Sequence, residues 1–376
     1  MCYTQNRFNA LLSACVMSLI ATAGWSQQPS LRWLGTLGGG ESEAWGVSAD
    51  GAVVVGYAYN AAWRARAFRW TASGGMQNLG TLGGNYSYAS DVSADGSVVV
   101  GWAYNAAGWA HAFRWTVDGG MQDLGTLGGR VSAAYAVSAD GSVVVGGAYN
   151  ADWQGRAFRW TVEGGMQDLG TLGGNNSDAN AVSADGAVVV GEAENAARQR
   201  RAFRWTVDGG MQDLGDLGGG GGVAYGVSAD GSVVVGMATN AAERYRAFRW
   251  TEEGMQDLGD LGGIWSWAYG VSADGAVVVG WAHNAASQAR AFRWTAAGGM
   301  EDLNRTYASL LTPGSVLWEA RAISPDGRYI VGRGWNAATG RWEAFLLDTV
   351  PEPASLMALS AGLVGLLGLR RRRSKQ

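Results

Sequence analysis

Cysteine is almost missing from this chain, since Cys2 and Cys15 are its only two and both lie near the beginning. The rest of the chain can form neither a disulfide nor a cysteine-ligated zinc site, so packing must stabilise it. Proline is scarce (5 of 376 residues), whereas glycine is abundant (60) and 47% of the residues are hydrophobic. This composition predicts an all-β body of short strands and many turns, with enough apolar residues for a core.

Lysine occurs once, as Lys375, so the body of the chain carries only arginine as a basic residue. Without Arg7, the tail arginines, Lys375 and Glu352, 22 basic residues remain against 31 acidic ones, a net charge near -9. This balance argues against nucleic acid or an anionic membrane surface as the partner of the body.

Histidine is nearly absent too, and His111 and His283 occupy non-equivalent positions. A histidine-based triad or metal site would need partners that the spacing does not supply, and no Asp-x-Asp-x-Asp calcium loop is present. We therefore expect no catalytic residue, no metal and no cofactor.

The first residues have the pattern of a secretion signal. Arg7 precedes an apolar run over 10–21, and Ala21-Thr22-Ala23 forms a small-x-small cleavage site. The sequence predicts a signal peptide over 1–23. An uncleaved anchor and lipidation at Cys15, after Leu12-Ser13-Ala14, remain alternatives.

The last residues carry three features in a fixed order: Pro351-Glu352-Pro353, an uncharged run over 354–369, and then Arg370, Arg371, Arg372 and Arg373. This arrangement resembles the PEP-CTERM sorting signal. The resemblance implies processing by an exosortase, an inner-membrane enzyme of Gram-negative bacteria that make exopolysaccharide. The run is just long enough, at roughly 24 Å as a helix, to cross a membrane, with the arginines held inside. We predict a sorting and transmembrane segment over 350–376, with a permanent anchor as the alternative.

Between the ends, the sequence repeats with a period of 45 residues. Its Asp-Gly dipeptide marks seven units, at Asp50, Asp95, Asp140, Asp185, Asp230, Asp274 and Asp326. Each unit contains four strand-like runs, which in the second cycle cover 89–92, 97–104, 112–116 and 121–127. Four short strands per repeat are typical of a β-propeller blade.

The order of the strands distinguishes a ring from an open array. The body begins with a lone fourth strand at 31–37 and ends with three strands that finish at Leu347. We therefore predict a seven-bladed β-propeller over 31–349, closed by its N-terminal strand. An open solenoid, with atypical polar ends, is the alternative.

The repeats contain Ala-Phe-Arg-Trp-Thr and Leu-Gly-Thr-Leu-Gly-Gly, with a His-Ala-Phe variant at His111-Ala112-Phe113. They resemble the HAF repeats of bacterial extracellular proteins. The resemblance implies an extracellular location and supplies no defined biochemical activity.

Residues that recur in every unit are expected to build the units. We interpret the Asp-Gly aspartates as turn residues. The arginine of each Arg-Trp pair is predicted to face an amide or carboxylate on the next strand, as in Arg114 with Asp123. The tryptophan beside it, such as Trp115, is predicted to pack between units.

Residues that differ between units are better candidates for binding. They fall in two stretches, before the first strand and after Asn-Ala, which a four-stranded meander brings to one face. The aromatic candidates for contact with sugar rings or a protein are Trp63, Trp109, Trp153, Trp265 and Trp267. The alternative is that these rings pack onto the ends of the units.

The leading hypothesis is an exported, non-catalytic surface or matrix protein that binds extracellular polysaccharide or a surface protein. A glycan lyase or hydrolase would need a unit-specific cluster of His, Tyr, Arg and carboxylates near the central channel, and no such cluster is evident in the sequence. A purely structural surface-layer component is the third hypothesis.

We expect the mature protein to lack residues up to about Ala23 and to be cleaved close to Pro351-Glu352-Pro353. Mass spectrometry of the native protein tests both ends. A surface-located protein that retains Arg370 and the arginines after it would contradict the sorting hypothesis and indicate a permanent anchor.

Overall fold

The computed structural model describes residues 28–350, which form 28 strands and two short helical turns. The predicted signal peptide and residues 351–376 of the predicted sorting segment lie outside the described residues. The fold is all-β, with repeated four-stranded antiparallel sheets like those of a β-propeller.

The first three units have the same four-strand pattern. The first unit contains β2 (Gly38–Val47), β3 (Val53–Asn60), β4 (Ala65–Thr71) and β5 (Gly75–Asn78). The second contains β6 (Gly83–Val92), β7 (Val98–Asn105), β8 (Ala110–Thr116) and β9 (Gly120–Asp123). The third contains β10 (Gly128–Val137), β11 (Val143–Asn150), β12 (Gly155–Thr161) and β13 (Gly165–Asp168).

The next three units repeat this pattern. The fourth contains β14 (Gly173–Val182), β15 (Val188–Asn195), β16 (Arg200–Thr206) and β17 (Gly210–Asp213). The fifth contains β18 (Gly218–Val227), β19 (Val234–Asn240), β20 (Tyr245–Thr251) and β21 (Gly254–Asp257). The sixth contains β22 (Gly262–Val271), β23 (Val277–Asn284), β24 (Ala289–Thr295) and β25 (Gly299–Asp302).

The seventh unit takes its strands from both ends of the described chain. After α1 (Leu303–Thr306) and a 3₁₀ turn (Ala308–Leu310), it contains β26 (Val316–Ile323), β27 (Tyr329–Asn336) and β28 (Arg341–Asp348). The N-terminal β1 (Ser30–Trp33) pairs antiparallel with β28, with Leu31 opposite Leu347. β1 thus lies along the edge of β28.

Two strand boundaries differ from those predicted. The first strand of the second unit begins at Gly83 rather than residue 89, because Gly83 already pairs with Asn105 before a break in register. The fourth strand ends at Asp123 rather than residue 127. Gly83 and Gly84 therefore belong to a strand rather than to the connection before it.

The Asp-Gly turns are built as the sequence predicted. Asp50 Oδ1 accepts hydrogen bonds from Ser48 Oγ at 2.7 Å and Ala52 N at 2.9 Å. Gly51 has a φ of 70°, which a side chain would strain. These bonds hold the pKa of the Asp50 carboxyl below its usual value. The Asp50 carboxylate therefore serves to stabilise its own turn.

The core lies between successive units. Phe113 is fully buried and Trp115 is 6% exposed, and both pack in one cluster with Val53 and Val55 of the preceding unit. The tryptophan of the Ala-Phe-Arg-Trp motif therefore packs between units, as predicted. No unit could bury this apolar face without its neighbour.

Hydrogen bonds to a buried serine join each of four units to the one before it. Ser87 Oγ accepts from Ala67 N of the preceding unit at 2.9 Å and donates to Gly80 O. The same bond joins the last unit to the first, because Ala344 N donates to Ser42 Oγ at 2.9 Å. Gly51 of the first unit also packs on the Tyr329 ring of the last.

The predicted cross-strand pairing of Arg114 with Asp123 is wrong. The register places Gln122 opposite Arg114 and Asp123 opposite Phe113, so arginine and aspartate point to opposite faces. Arg114 Nε instead donates to Gly141 O in the next unit, at 3.4 Å. Asp123 pairs instead with His111, which lies two residues before Phe113 on β8, at 2.7 Å.

We expect that deletion of residues 28–37 lowers the melting temperature strongly, because it exposes the edge of β28 and removes Leu31, Trp33 and Leu34 from apolar clusters. Circular dichroism on heating measures the effect. Deletion of residues 351–376 is the control and should change the melting temperature little. Equal melting temperatures for the two truncated chains would contradict the structural role of β1.

We expect Trp115→Ala to lower the free energy of unfolding by about 3–5 kcal/mol, because it leaves a cavity between two units. Denaturant unfolding followed by fluorescence measures the change. Val117→Ala, at an exposed position in the same unit, is the control. A change below about 1 kcal/mol for Trp115→Ala would show that the junction does not depend on this ring.

Candidate ligand-binding site

The two variable stretches of each unit lie at the same end, as the meander predicted. Leu82, in the connection from the fourth strand to the next first strand, bridges to Asn105, at the turn between second and third strands. The equivalent bridge recurs in the other units down to Leu261 with Asn284. We call this end of the molecule the variable face.

The five candidate tryptophans differ in exposure. Trp63 is 69% exposed, Trp153 is 54% exposed and Trp265 is 39% exposed. Trp109 and Trp267 are half-buried. Three of the five rings are therefore available on the variable face, and two are covered in part by neighbours.

Trp63 and Trp153 occupy the same left-handed position of the turn that begins with Asn-Ala, with φ values of 56° and 59°. The second unit has Gly108 there, so Trp109 lies one residue further along. A bulky residue at positive φ is strained, which makes these two exposed tryptophans notable. Trp109 and Trp153 lie 6.5 Å apart, and the Arg130 guanidinium lies over both rings.

Each first strand contains a β-bulge, and the bulged residues of the seven units meet. In the second unit the register breaks between Ala89 and Asp91, so Ser90 is the extra residue. Bulges re-aim side chains and are frequent beside functional sites. We call these seven side chains the ring: Trp45, Ser90, Tyr135, Asn180, Tyr225, Tyr269 and Arg321.

The ring encloses a cavity of about 300 Å³, the axial pocket, which is also lined by Trp102. A second cavity of about 200 Å³ is lined by the ring and by the residues that directly follow each bulge, towards the Asp-Gly turns. The ring thus separates two cavities along one axis. A pocket of this size with aromatic walls and a few polar groups suits a small ligand.

A second layer of unit-specific side chains, which we call the collar, contains two residues from each unit. One lies on the first strand, two residues before the bulge, and the other is its cross-strand partner on the second strand. Its pairs in chain order are Glu43–Tyr57, Tyr88–Trp102, Ala133–Gly147, Asp178–Glu192, Val223–Met237, Trp267–Trp281 and Glu319–Arg333. Flanking positions are almost uniform, such as the alanine just before each bulge. Between the collar and the bulge, variation is therefore concentrated at side chains that face the axis.

Aromatic contacts connect the variable face to the ring. In the first unit, Trp63 contacts Tyr59 at 6.3 Å, Tyr59 contacts Tyr57 at 6.1 Å, and Tyr57 contacts Trp45 at 5.1 Å between ring centroids.

In the sixth unit, Trp265 contacts Trp267 at 6.3 Å, and Trp267 stacks on Trp281 at 4.4 Å. The Trp281 Nε1 then donates to Tyr269 Oη at 3.1 Å. The half-buried Trp267 therefore belongs to the wall that leads to the pocket.

On one side of the axis, buried carboxylates and arginines of the first and last units form a network of ion pairs. Arg321 Nε donates to Glu43 Oε1 at 2.8 Å, and Arg321 also pairs with Glu319 at 3.2 Å. Arg333 pairs with Glu41 at 2.9 Å. Burial raises the pKa of Glu319, against the lowering effect of Arg321.

On the opposite side, Asp178 and Glu192 face each other across β14 and β15. Burial raises the pKa of Asp178 to about 6 and that of Glu192 to about 7, and the Arg200 charge only partly offsets this effect. Arg200 Nε lies 3.2 Å from Glu192 Oε2, in a geometry that makes no hydrogen bond. These carboxyls therefore titrate near neutral pH.

The sequence analysis missed the ring, the collar and the cluster of Tyr57, Glu43, Glu319, Arg321 and Arg333. The cluster is unit-specific and lies at the axis, where none was evident from the sequence. A comparison of the repeats would have found a signal, because the bulge position carries five different residue types inside an otherwise repeated strand. Only the bulge itself, which has no sequence signature here, shows that this position faces the axis.

The histidines lie apart from each other, as the sequence suggested. His111 pairs with Asp123, and His283 lies 5.3 Å from the Trp265 ring, where burial lowers its pKa. Within residues 28–350, no group of three or more His, Cys, Asp or Glu side chains could hold a metal ion. The same residues include no helix long and apolar enough to span a membrane.

Comparison with protein families identifies one match, the PEP-CTERM protein-sorting motif at residues 349–373. This match confirms the predicted resemblance to the PEP-CTERM sorting signal. The motif indicates export, a membrane-anchored intermediate and processing by an exosortase. No curated protein matches the chain.

Solved structures include two that are similar at low identity. One is a putative TolB from Agrobacterium tumefaciens, with 17% identity, a TM-score of 0.46, and coverage of 59% of this chain and 82% of that one. The other is TolB from Acinetobacter baumannii, with 11% identity, a TM-score of 0.48, and coverage of 80% of this chain and 65% of that one.

We expect Glu192→Gln to stabilise the protein at pH 8 by about 1–3 kcal/mol and to have little effect at pH 4.5. The folded protein holds the Glu192 proton more tightly than the unfolded chain, so stability falls as pH rises from about 4.5 to about 7. Thermal unfolding at both pH values measures the difference. Glu194→Gln is the control, because hydrogen bonds lower the pKa of this exposed group. Equal stability of Glu192→Gln and the parent at pH 8 would contradict the raised pKa.

Proposed function

We propose that this chain is an exported, non-catalytic binding module for extracellular polysaccharide, presented at the cell surface or in the matrix of a Gram-negative bacterium. The PEP-CTERM motif supports export and processing by an exosortase. The single observation that carries the binding role is the pair of exposed, strained tryptophans on the variable face, Trp63 and Trp153.

We further propose that the seven units, residues 31–349, form a closed seven-bladed propeller of HAF-type repeats. The pairing of β1 with β28 supports closure, and so does the bond between Ala344 and Ser42 that repeats the junction found between other units. The first strands of the last and first units also contact each other, like those of successive units. A closed ring leaves no free sheet edge, which suits a protein secreted without disulfides.

The chemistry of the variable face favours a glycan. Exposed indole rings stack on the apolar faces of sugars, and a flat tryptophan loses little conformational entropy on binding. Trp63 and Trp153 lie in different units and Trp265 lies in a third, so one extended chain could contact several rings. The acidic charge of the body disfavours nucleic acid.

A glycan hydrolase or lyase is the second candidate, because the axis carries the unit-specific cluster that such an enzyme needs. Glu319 is 7% exposed, its pKa is raised, and it lies beside Arg321 and Glu43. A carboxyl with a raised pKa can serve as a general acid. Release of new reducing ends from polysaccharide, abolished by Glu319→Gln, would favour the enzyme, and an intact polymer would favour the binding module.

We expect Trp63→Gly and Trp153→Gly each to weaken binding of exopolysaccharide from the producing organism by about fivefold or more, if the rings are contact residues. Glycine removes the ring and adopts the positive φ without strain, so the melting temperature should stay the same or rise. Affinity electrophoresis and isothermal titration measure the binding.

Ser287→Gly is the matched control, since Ser287 occupies the same turn position with a φ of 56° and has no ring. It should share the effect on stability and leave binding unchanged. If the tryptophan variants unfold while binding of the folded fraction persists, these rings are packing residues and the proposed contact surface is wrong.

A further inference from the structure

The collar has a gap in the third unit. Its pair there is Ala133 and Gly147, the smallest of the seven pairs. The gap is flanked by Trp102 of the second unit and by Asp178 of the fourth, and it lies beside the Tyr135 ring. The wall of the axial pocket is therefore asymmetric, with one open place next to a pair of carboxyls.

Asp178 reaches across this gap. A Cβ atom added to Gly147 would lie 1.9 Å from Asp178 Oδ1 and 3.7 Å from Tyr135 Cε2. The carboxylate of the fourth unit thus occupies space that a side chain of the third unit would fill. The glycine at position 147 allows the Asp178 carboxyl to lie close to the Tyr135 ring, which lines the pocket.

The charges around the axial pocket favour a cation. Arg321, the one charged residue of the ring, is engaged by Glu43 and Glu319 and lies over the Tyr269 ring at 4.5 Å. On the opposite side, Asp178 and Glu192 share one arginine, Arg200, whose side chain is 68% exposed. The Asp178 corner therefore keeps an excess negative charge, while aromatic faces nearby can also attract a cation.

The pocket also has free hydroxyl groups. Within residues 28–350, the hydroxyls of Ser90, Tyr135 and Tyr225 make no hydrogen bond to the protein, although all three line the pocket. Burial raises the pKa of Tyr225 to about 12, so its hydroxyl stays protonated and can donate. Hydroxyls of this kind suit the alternating donors and acceptors of a sugar.

We propose that the axial pocket binds a sugar unit that carries a protonated amine, with the amine between Asp178 and Glu192 and the sugar ring against Trp102 and Tyr135. This inference rests on the proposed glycan-binding role but uses a site separate from the tryptophans of the variable face. The ligand is either a free amino sugar or one unit of a deacetylated aminoglycan. The pocket volume of about 300 Å³ accommodates one or two sugar units.

Isothermal titration of the purified protein at pH 7 tests this ligand class with four probes: glucosamine, the glucosamine trimer, the N-acetylglucosamine trimer and cellotriose. We expect the glucosamine trimer to bind at least tenfold more tightly than the two uncharged trimers. Similar affinity for glucosamine itself would indicate a free amino sugar, and a preference for the trimer would indicate a polymer. Equal affinity for all three trimers would overturn the proposal.

Three variants locate the site. Glu192→Gln and Asp178→Asn should each weaken binding of the glucosamine trimer at least tenfold, whereas Glu194→Gln, which removes the same charge outside the pocket, should not. Gly147→Ala should weaken binding without any change of charge, because its Cβ displaces the Asp178 carboxylate. Circular dichroism on heating confirms that each variant is folded.

Arg200→Gln gives an effect of the opposite sign. It removes the cation that competes for Glu192, so binding of the glucosamine trimer should tighten by about threefold or more. A merely structural role of Glu192 and Asp178 would not produce tighter binding. Unchanged or weaker binding by folded Arg200→Gln protein would contradict the assignment of the amine to these carboxyls.

Titration at pH 5 gives a further check. The groups that face Asp178 and Glu192 are Arg200 on β16, Tyr135 on β10 and Tyr225 on β18. Burial raises the pKa of both tyrosines, so neither of them titrates between pH 5 and 7. Protonation of the two carboxyls at pH 5 should therefore weaken binding tenfold. Trp63→Gly separates the two proposals, since it should reduce polysaccharide binding and leave binding of the glucosamine trimer intact.

Discussion

The serine that links one unit to the next is the interaction on which the structure depends most. Ser87 satisfies the backbone N–H of Ala67 in the preceding unit and the carbonyl of Gly80 in its own connection, and an unpaired buried group would cost about 1–3 kcal/mol. The fifth unit lacks this hydroxyl because Gly222 replaces the serine. Ser42 repeats the bond between the first and last units. Where these bonds are present, they hold neighbouring sheets in register around the apolar clusters.

Because the repeated residues build the junctions, the bulged residues are free to differ. Ser90 and Tyr135 occupy identical backbone positions, yet one is small and the other fills space at the axis. The bulge turns the side chain away from the sheet and towards the pocket, so a change at this position alters the pocket and leaves the sheet intact. A rigid framework with a variable side chain at each bulge can thus acquire binding specificity at little cost in stability.

Charge at the axis is arranged in two different ways. Glu43 and Glu319 are almost fully buried, and Arg321 lies between them and compensates for their burial. Asp178 and Glu192 are less buried and poorly compensated, so burial raises their pKa values towards neutrality. The first arrangement is typical of a structural network, although the same groups are the candidates for catalysis. The second leaves negative charge unsatisfied beside a cavity, and a bound cation would relieve it.

The sequence alone determined the number of strands in each unit, the Asp-Gly turns, the packing of Trp115 and the sorting motif, because each depends on local chemistry or on a pattern that recurs. Asp50 needs only its neighbours Ser48 and Ala52 to make its turn, and the 45-residue period places every copy. Tertiary structure decided the partner of Arg114, because a one-residue difference in register moves a side chain to the other face of the sheet. It also decided the pocket, since Ser90, Tyr135 and Arg321 are far apart in the chain and meet only when the bulges of all the units turn to a common axis.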